Sequence, residues 1–108
     1  MEEFTVSQLI DCMLEGKPIP EHEIRRLVYL DFPADPNLVY AGEEEEEPRR
    51  WYSRKEVIFK VNNKRFFRVW YDRGLTECQD NEFEEQVAVE VEPKTRTVVE
   101  TYWEEKHG

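Results

Sequence analysis

Glycine is scarce in this chain. Four occur in 108 residues, at positions 16, 42, 74 and 108, and no two lie close together. A phosphate-cradling loop needs several glycines within a few residues so that the backbone can wrap an anion, so P-loop and dinucleotide-binding chemistry are excluded. Cysteine is scarcer still: Cys12 and Cys78 lack CxxC spacing, which fits reduced thiols in a cytoplasm rather than a disulfide scaffold. Together with His22 and His107 they are scattered singletons, not a metal-ligand pattern, and neither a metal nor a cofactor is expected. No apolar run approaches the roughly 18–20 residues of a membrane span, and Met1-Glu2-Glu3-Phe4 carries neither the basic nor the apolar part of a secretion signal. A soluble, cytoplasmic protein is expected.

What the chain has in abundance is charge, unevenly laid out. Residues 1–48 carry 13 Asp and Glu against 3 Lys and Arg, residues 49–75 carry 2 against 9, and residues 76–108 carry 10 against 3. A net −10 is therefore reached through an acidic front, a basic middle and an acidic back, and electrostatics should govern how the protein meets its partners.

The length predicts a single domain over 1–108, with a helical part at 1–40, an acidic-to-basic loop at 41–50 and an antiparallel sheet at 51–104. Thr5 and Gln8 have capping-box spacing, and Val6, Leu9, Ile10, Met13 and Leu14 follow at helical period, predicting a helix over 6–15 stopped by Gly16 and Pro18. Pro20, Glu21 and Glu23 open a second helix through Ile24, Leu27 and Val28. A helix-turn-helix DNA reader is a poor reading of this pair, because the segment is acidic and phosphate binding needs cations. Pro33 and Pro36 end helical structure, Leu38-Val39-Tyr40 is a short extended anchor, and the self-repelling Glu43–Glu47 run is expected to be a solvated loop.

Beyond Pro48 the period changes to alternation. Lys55–Val61 and Arg65–Tyr71 read as strands joined at Asn62-Asn63-Lys64, since Asn tolerates the positive φ that a hairpin turn demands. Residues 75–85 read as a long loop anchored by Leu75 and Phe83. Gln86–Glu92, a turn at Pro93-Lys94-Thr95 and Arg96–Trp103 read as a second hairpin. The expected fold is α+β: two N-terminal helices packed on a four-stranded antiparallel sheet made of two β-hairpins.

No Ser, Cys or Thr has a histidine placed to activate it, and the glutamate run offers neither burial nor fixed geometry for acid–base work, so no catalytic residue is assigned and an enzyme is not expected. Two binding readings remain. Arg49, Arg50, Arg54, Arg65, Arg68 and Arg73, interleaved with aromatics, have the composition of a single-stranded nucleic-acid platform. Against that, Glu90, Glu92 and Glu100 are placed to pair with Arg65, Arg68 and Lys60 across the ladder, and a net −10 chain repels phosphate. The other reading makes Glu43, Glu44, Glu45, Glu46, Glu47, Glu82, Glu84 and Glu85 a phosphate-like array for a basic cleft, with Trp51, Tyr52 and Trp103 as apolar anchors. A phage structural or assembly protein that self-associates through a sheet edge as a symmetric dimer is a third class, so either a monomer or a homodimer is expected.

The run Phe66 to Gln79, with Gly74-Leu75-Thr76-Glu77 and Gln79 at its centre, followed by Phe83, Gln86, Glu90-Val91-Glu92-Pro93 and Thr97-Val98-Val99 to Trp103, resembles a motif of small phage and prophage proteins of Gram-positive bacteria. The resemblance covers roughly the last 45 residues. Small acidic proteins of that setting include anti-CRISPR inhibitors of Cas9-type nucleases. The resemblance implies a genomic setting more than a mechanism; that setting and the charge layout together lead to the expectation of a non-enzymatic inhibitor or adaptor in the host cytoplasm, whose partner is a bacterial nucleic-acid-handling protein such as a Cas9-type effector, with no direct nucleic-acid or membrane contact.

Overall fold

The structure is a computed structural model and describes residues 3–46, 52–75, 79–95, 99 and 101–106. Helix α1 spans Val6–Glu15 and α2 spans Glu21–Val28. Strands β1 (Leu38–Glu45), β2 (Tyr52–Val61), β3 (Arg65–Gly74) and β4 (Val89–Val91) form one antiparallel sheet in the order β1-β2-β3-β4.

Helix α1 begins where its cap dictates. Thr5 Oγ1 accepts from the Gln8 amide at 3.1 Å, and Gln8 Oε1 accepts from the Thr5 amide at 2.7 Å, so two otherwise orphaned N–H groups are satisfied reciprocally. Gly16 ends it in the left-handed region at φ 67°, where a side chain would be strained. Helix α2 ends in a Schellman pattern: the Asp31 amide donates to Arg26 O at 2.8 Å and the Leu30 amide to Leu27 O at 3.1 Å. The left-handed position of that cap, at φ 54°, is occupied by Leu30 and not by glycine. On α2 the fully buried Glu23 carboxylate accepts from the Phe4 amide at 3.2 Å and from the Arg26 guanidinium, which also donates to Phe4 O at 3.0 Å. A buried carboxylate is tolerable only with such partners, and these tie the N-terminal segment to α2.

Alternation sorts the sheet into two faces. Leu38, Val57, Phe59, Val61, Phe67, Val69 and Tyr71 point to one side and form the core with Leu9, Met13, Ile24 and Leu27 of the helices. Full burial of each large aliphatic side chain contributes roughly 1.5–3 kcal/mol, which is what docks two helices too short to stand alone. The opposite face presents Arg54, Glu56, Ile58 and Lys60 of β2 and Phe66, Arg68, Trp70 and Asp72 of β3, all half-buried, and no helix lies over it among the described residues. Between β2 and β3, Asn62 and Asn63 both take positive φ (51° and 62°), and the Lys64 amide donates to Val61 O at 3.2 Å.

The α+β class, both helices and the β2–β3 hairpin agree with the sequence reading, but the rest of the sheet is composed differently. The stretch expected to be an acidic loop is mostly strand: Glu43, Glu44 and Glu45 lie opposite Val57, Glu56 and Lys55 of β2 in β1, with an irregularity between Tyr40 and Gly42. Counter-charges on β2 and β3 remove the self-repulsion on which the loop expectation rested. Within the expected second hairpin, only Val89–Val91 is a strand, and it pairs with β3 at Phe66–Arg68. Residues 96–98 and Glu100 lie outside the described residues, while Val99 and residues 101–106 have no regular structure and are exposed. The alternation of 86–92 is real, but its small residue faces in: Ala88 is buried, whereas Val87 and Val89 are about half exposed.

Leu30 sits where glycine is the less strained residue. Leu30→Gly should raise the unfolding free energy by about 0.5–1 kcal/mol, because relief of left-handed strain outweighs the added chain entropy. Urea denaturation reads this as a higher midpoint at unchanged slope.

Candidate functional site

The arginines described in the basic middle of the chain do not form a free cationic surface. On the open face, Arg54 lies 3.9 Å over the Trp70 ring with its Nε 3.4 Å from Asp72, and Arg68 lies 3.4 Å from Glu56. On the helix-covered face, Arg73 reaches Glu45 at 3.0 Å, Lys55 reaches Glu43 at 3.2 Å, and Arg65 meets Glu90 at 2.5 Å. Ser53 makes the Arg73 contact possible. It lies opposite Arg73 in the β2–β3 register, is fully buried and is small, so the guanidinium can cross β2 to the edge strand. Its hydroxyl donates to Glu46 O at 3.0 Å, holding β1 there. Of the six arginines considered for nucleic acid, Arg54 and Arg68 share one face, Arg65 and Arg73 lie on the other, and Arg49 and Arg50 lie outside the described residues. The expected platform is therefore split, and its described arginines all face carboxylates.

The expected pairing of this hairpin with downstream acids holds at one position. Glu90 takes Arg65, and the contact holds the Glu90 carboxyl below its ordinary pKa and raises that of Arg65. Arg68 takes Glu56 on the neighbouring strand instead of Glu92, which meets Lys94 at 3.3 Å. Lys60 lies 5.9 Å from the centre of the Phe66 ring, and Glu100 lies outside the described residues.

The carboxylates expected to act together are also dispersed. Glu43 and Glu45 share the helix side of β1 and are consumed by Lys55 and Arg73, whereas Glu44 points to the open face opposite Glu56. Glu46 follows the strand, and Glu47 and Trp51 lie outside the described residues. Glu82, Glu84 and Glu85 lie across the sheet, past β3. Trp103 stands in the C-terminal segment at 93% exposure. Tyr52 is half-buried, its hydroxyl 2.8 Å from Gln79 Oε1 and 3.2 Å from Glu82 Oε1, and desolvation and that carboxylate raise its pKa. These residues do not converge on one site.

Several residues between Phe66 and Gln86 do structural work here. A Cβ on Gly74 would lie 1.9 Å from the Gln79 carbonyl oxygen, so only glycine fits the turn after β3. Phe83 stacks on Tyr71 with ring centres 5.4 Å apart. Gln86 acts as a one-residue strand: its side-chain oxygen accepts from the Trp70 amide and its side-chain nitrogen donates to Trp70 O, both at 2.8 Å, while its backbone bridges to Ile19. The β3 edge beyond the short β4 is thereby closed. Sequence reasoning missed this role, because a lone glutamine before alternating valines carries no periodic signal.

On the open face a groove of about 630 Å³ runs between Ala41–Glu44 on one side and Glu92–Thr95 on the other, floored by Ile58, Phe66, Arg68 and Val91. Cys12 is buried and its thiol pKa is raised by desolvation, and among the described residues no three His, Cys, Asp or Glu side chains converge as metal ligands. No described helix is long and apolar enough to cross a membrane. Comparison with protein-family models, curated proteins and solved structures finds no match.

The Arg65–Glu90 pair gives a pH prediction. A carboxyl whose folded pKa is depressed contributes stability above its unfolded value, and that contribution is lost as pH falls through the folded value. Arg65→Ala should move the Glu90 titration up toward the ordinary carboxylate range, read by NMR on the Glu90 side chain. An unmoved midpoint would show that the contact does not form in solution.

Proposed function

We propose that this protein is a non-enzymatic binding protein that occupies a basic, nucleic-acid-handling surface of a protein partner. One observation carries the reading: the described arginines of the sheet and Lys55 all face carboxylates, so the field that reaches solvent is dominated by the remaining carboxylates, with Lys60 and Lys64 as the exceptions at the turn end. Arg54, Lys55, Arg65, Arg68 and Arg73 each face a described carboxylate. Glu44, Glu84 and Glu85 are exposed and make no ion pair among the described residues. With a net −10, this surface repels nucleic acid and steers toward cationic protein.

The acidic array is distributed over the molecule and is not one projecting loop, so recognition depends on total charge more than on Glu43–Glu47. A partner that holds nucleic acid in a positively charged channel gains by accepting these carboxylates, since they release the same counterions as phosphates do. The phage-type motif makes a Cas9-type effector the first partner to test, and inhibition of its DNA binding the first activity. Direct nucleic-acid binding is the less favoured alternative, because its described arginines, Arg54, Arg65, Arg68 and Arg73, are split between two faces and paired.

Replacing Glu44, Glu84 and Glu85 together with Gln should slow association with a guide-loaded Cas9-type effector by about threefold to tenfold at low salt and flatten the salt dependence, while dissociation changes little. Stopped-flow or biosensor kinetics checks this. A mobility shift of the wild-type protein's mixture with single-stranded DNA or RNA at moderate salt would overturn the assignment in favour of direct nucleic-acid binding.

A further inference from the structure

The open sheet face has an apolar floor with no described cover, and the same chain ends in exposed apolar side chains with no described seat. Val99, Tyr102 and Trp103 are 90%, 74% and 93% exposed. Adjacent aromatics facing water leave large apolar surfaces unburied, which favours any apolar seat within reach. The Cα radius of gyration, 17.8 Å, is also large beside the about 13 Å of a compact 100-residue domain.

We propose that the groove between β1 and residues 92–95 is a docking site for an extended aromatic-acidic segment, and that its occupant is the C-terminal segment of the same chain, with Tyr102 and Trp103 placed over Ile58, Phe66 and Val91. Three observations select this occupant. The wall of the groove formed by Glu92–Thr95 leads directly into the segment, so no long linker is required. Six residues lie between Thr95 and Tyr102, and the seven residue steps at about 3.3 Å each span at most roughly 23 Å, while a four-stranded sheet is only about 15 Å across. Charge sets the direction of the segment as well: the groove walls carry Glu44 and Glu92, so Glu104 and Glu105, which follow the aromatic pair, run past them to the turn end of the face, where Lys60 and Lys64 have no carboxylate partner among the described residues. A second shallow depression lined by Lys64, Phe66 and Val91 continues the groove toward those lysines. Tethering favours this occupant over a second copy, since a short linker supplies an effective concentration in the millimolar range. The proposal is independent of the partner assigned above.

Tyr102 and Trp103 are exposed, so their replacement leaves the core intact. In the full chain, Y102A/W103A should shift the amide resonances of Ile58, Phe66, Arg68 and Val91 while leaving those of α1 and α2 in place. Reciprocally, Ile58→Ser should shift the Trp103 indole resonance. Shifts confined to residues 99–106 in the first variant, with an unmoved indole in the second, would overturn the proposal. Groove shifts that vanish on dilution, together with a dimer mass by sedimentation, would overturn it in favour of a second copy's segment. Concentration-independent shifts on a monomer are the expected result.

Discussion

The architecture depends on the pairing of acidic β1 with cations of the two central strands. An edge strand containing Glu43-Glu44-Glu45 would repel itself out of a sheet in water, since each neighbouring carboxylate raises the free energy of the ordered state. Lys55 takes Glu43 and Arg73 crosses buried Ser53 to take Glu45, so the two inward-side glutamates are neutralised where the strand needs it. Exposed ion pairs contribute only about 0–1 kcal/mol each, but here they also decide whether eight residues are strand or loop. The same glutamates then defend the free edge of the sheet: a charged edge strand with an irregularity after Tyr40 is a poor template for another chain.

The opposite edge is closed by different means. β4 is three residues long and covers only the start of β3. The Gln86 side chain takes over at Trp70, and Glu82 pairs with Asp72 through the backbone. With both edges protected, assembly through strand addition is disfavoured. The accounting that makes the fold possible also sets the character of that exterior, because cations used inside are not available to bind phosphate.

Much of the fold was legible in the sequence where the signal was local. The Thr5–Gln8 capping box and Gly16 place α1 to the residue, and two asparagines with positive φ place the hairpin turn. What local reading could not supply was long-range compensation. The Glu43–Glu47 run looks like a loop until Lys55 and Arg73 are seen beside it. Gln86 is silent as a letter and decisive as a clamp. The candidate site suffered most, since linear clusters of Arg or Glu alternate between opposite faces once they enter a strand. Arg65 and Arg68 fall on different sides of the sheet, as do Glu44 and Glu45.

The central claim is that internal ion pairs turn the acidic run into a strand, and amide hydrogen exchange measures it directly. In the wild-type protein the hydrogen-bonded amides of β1 should be protected. In a Lys55→Met, Arg73→Met variant that protection should fall sharply while β2 and β3 keep theirs. Fast exchange across Glu43–Glu45 in the wild type, or unchanged protection in the variant, would contradict the account.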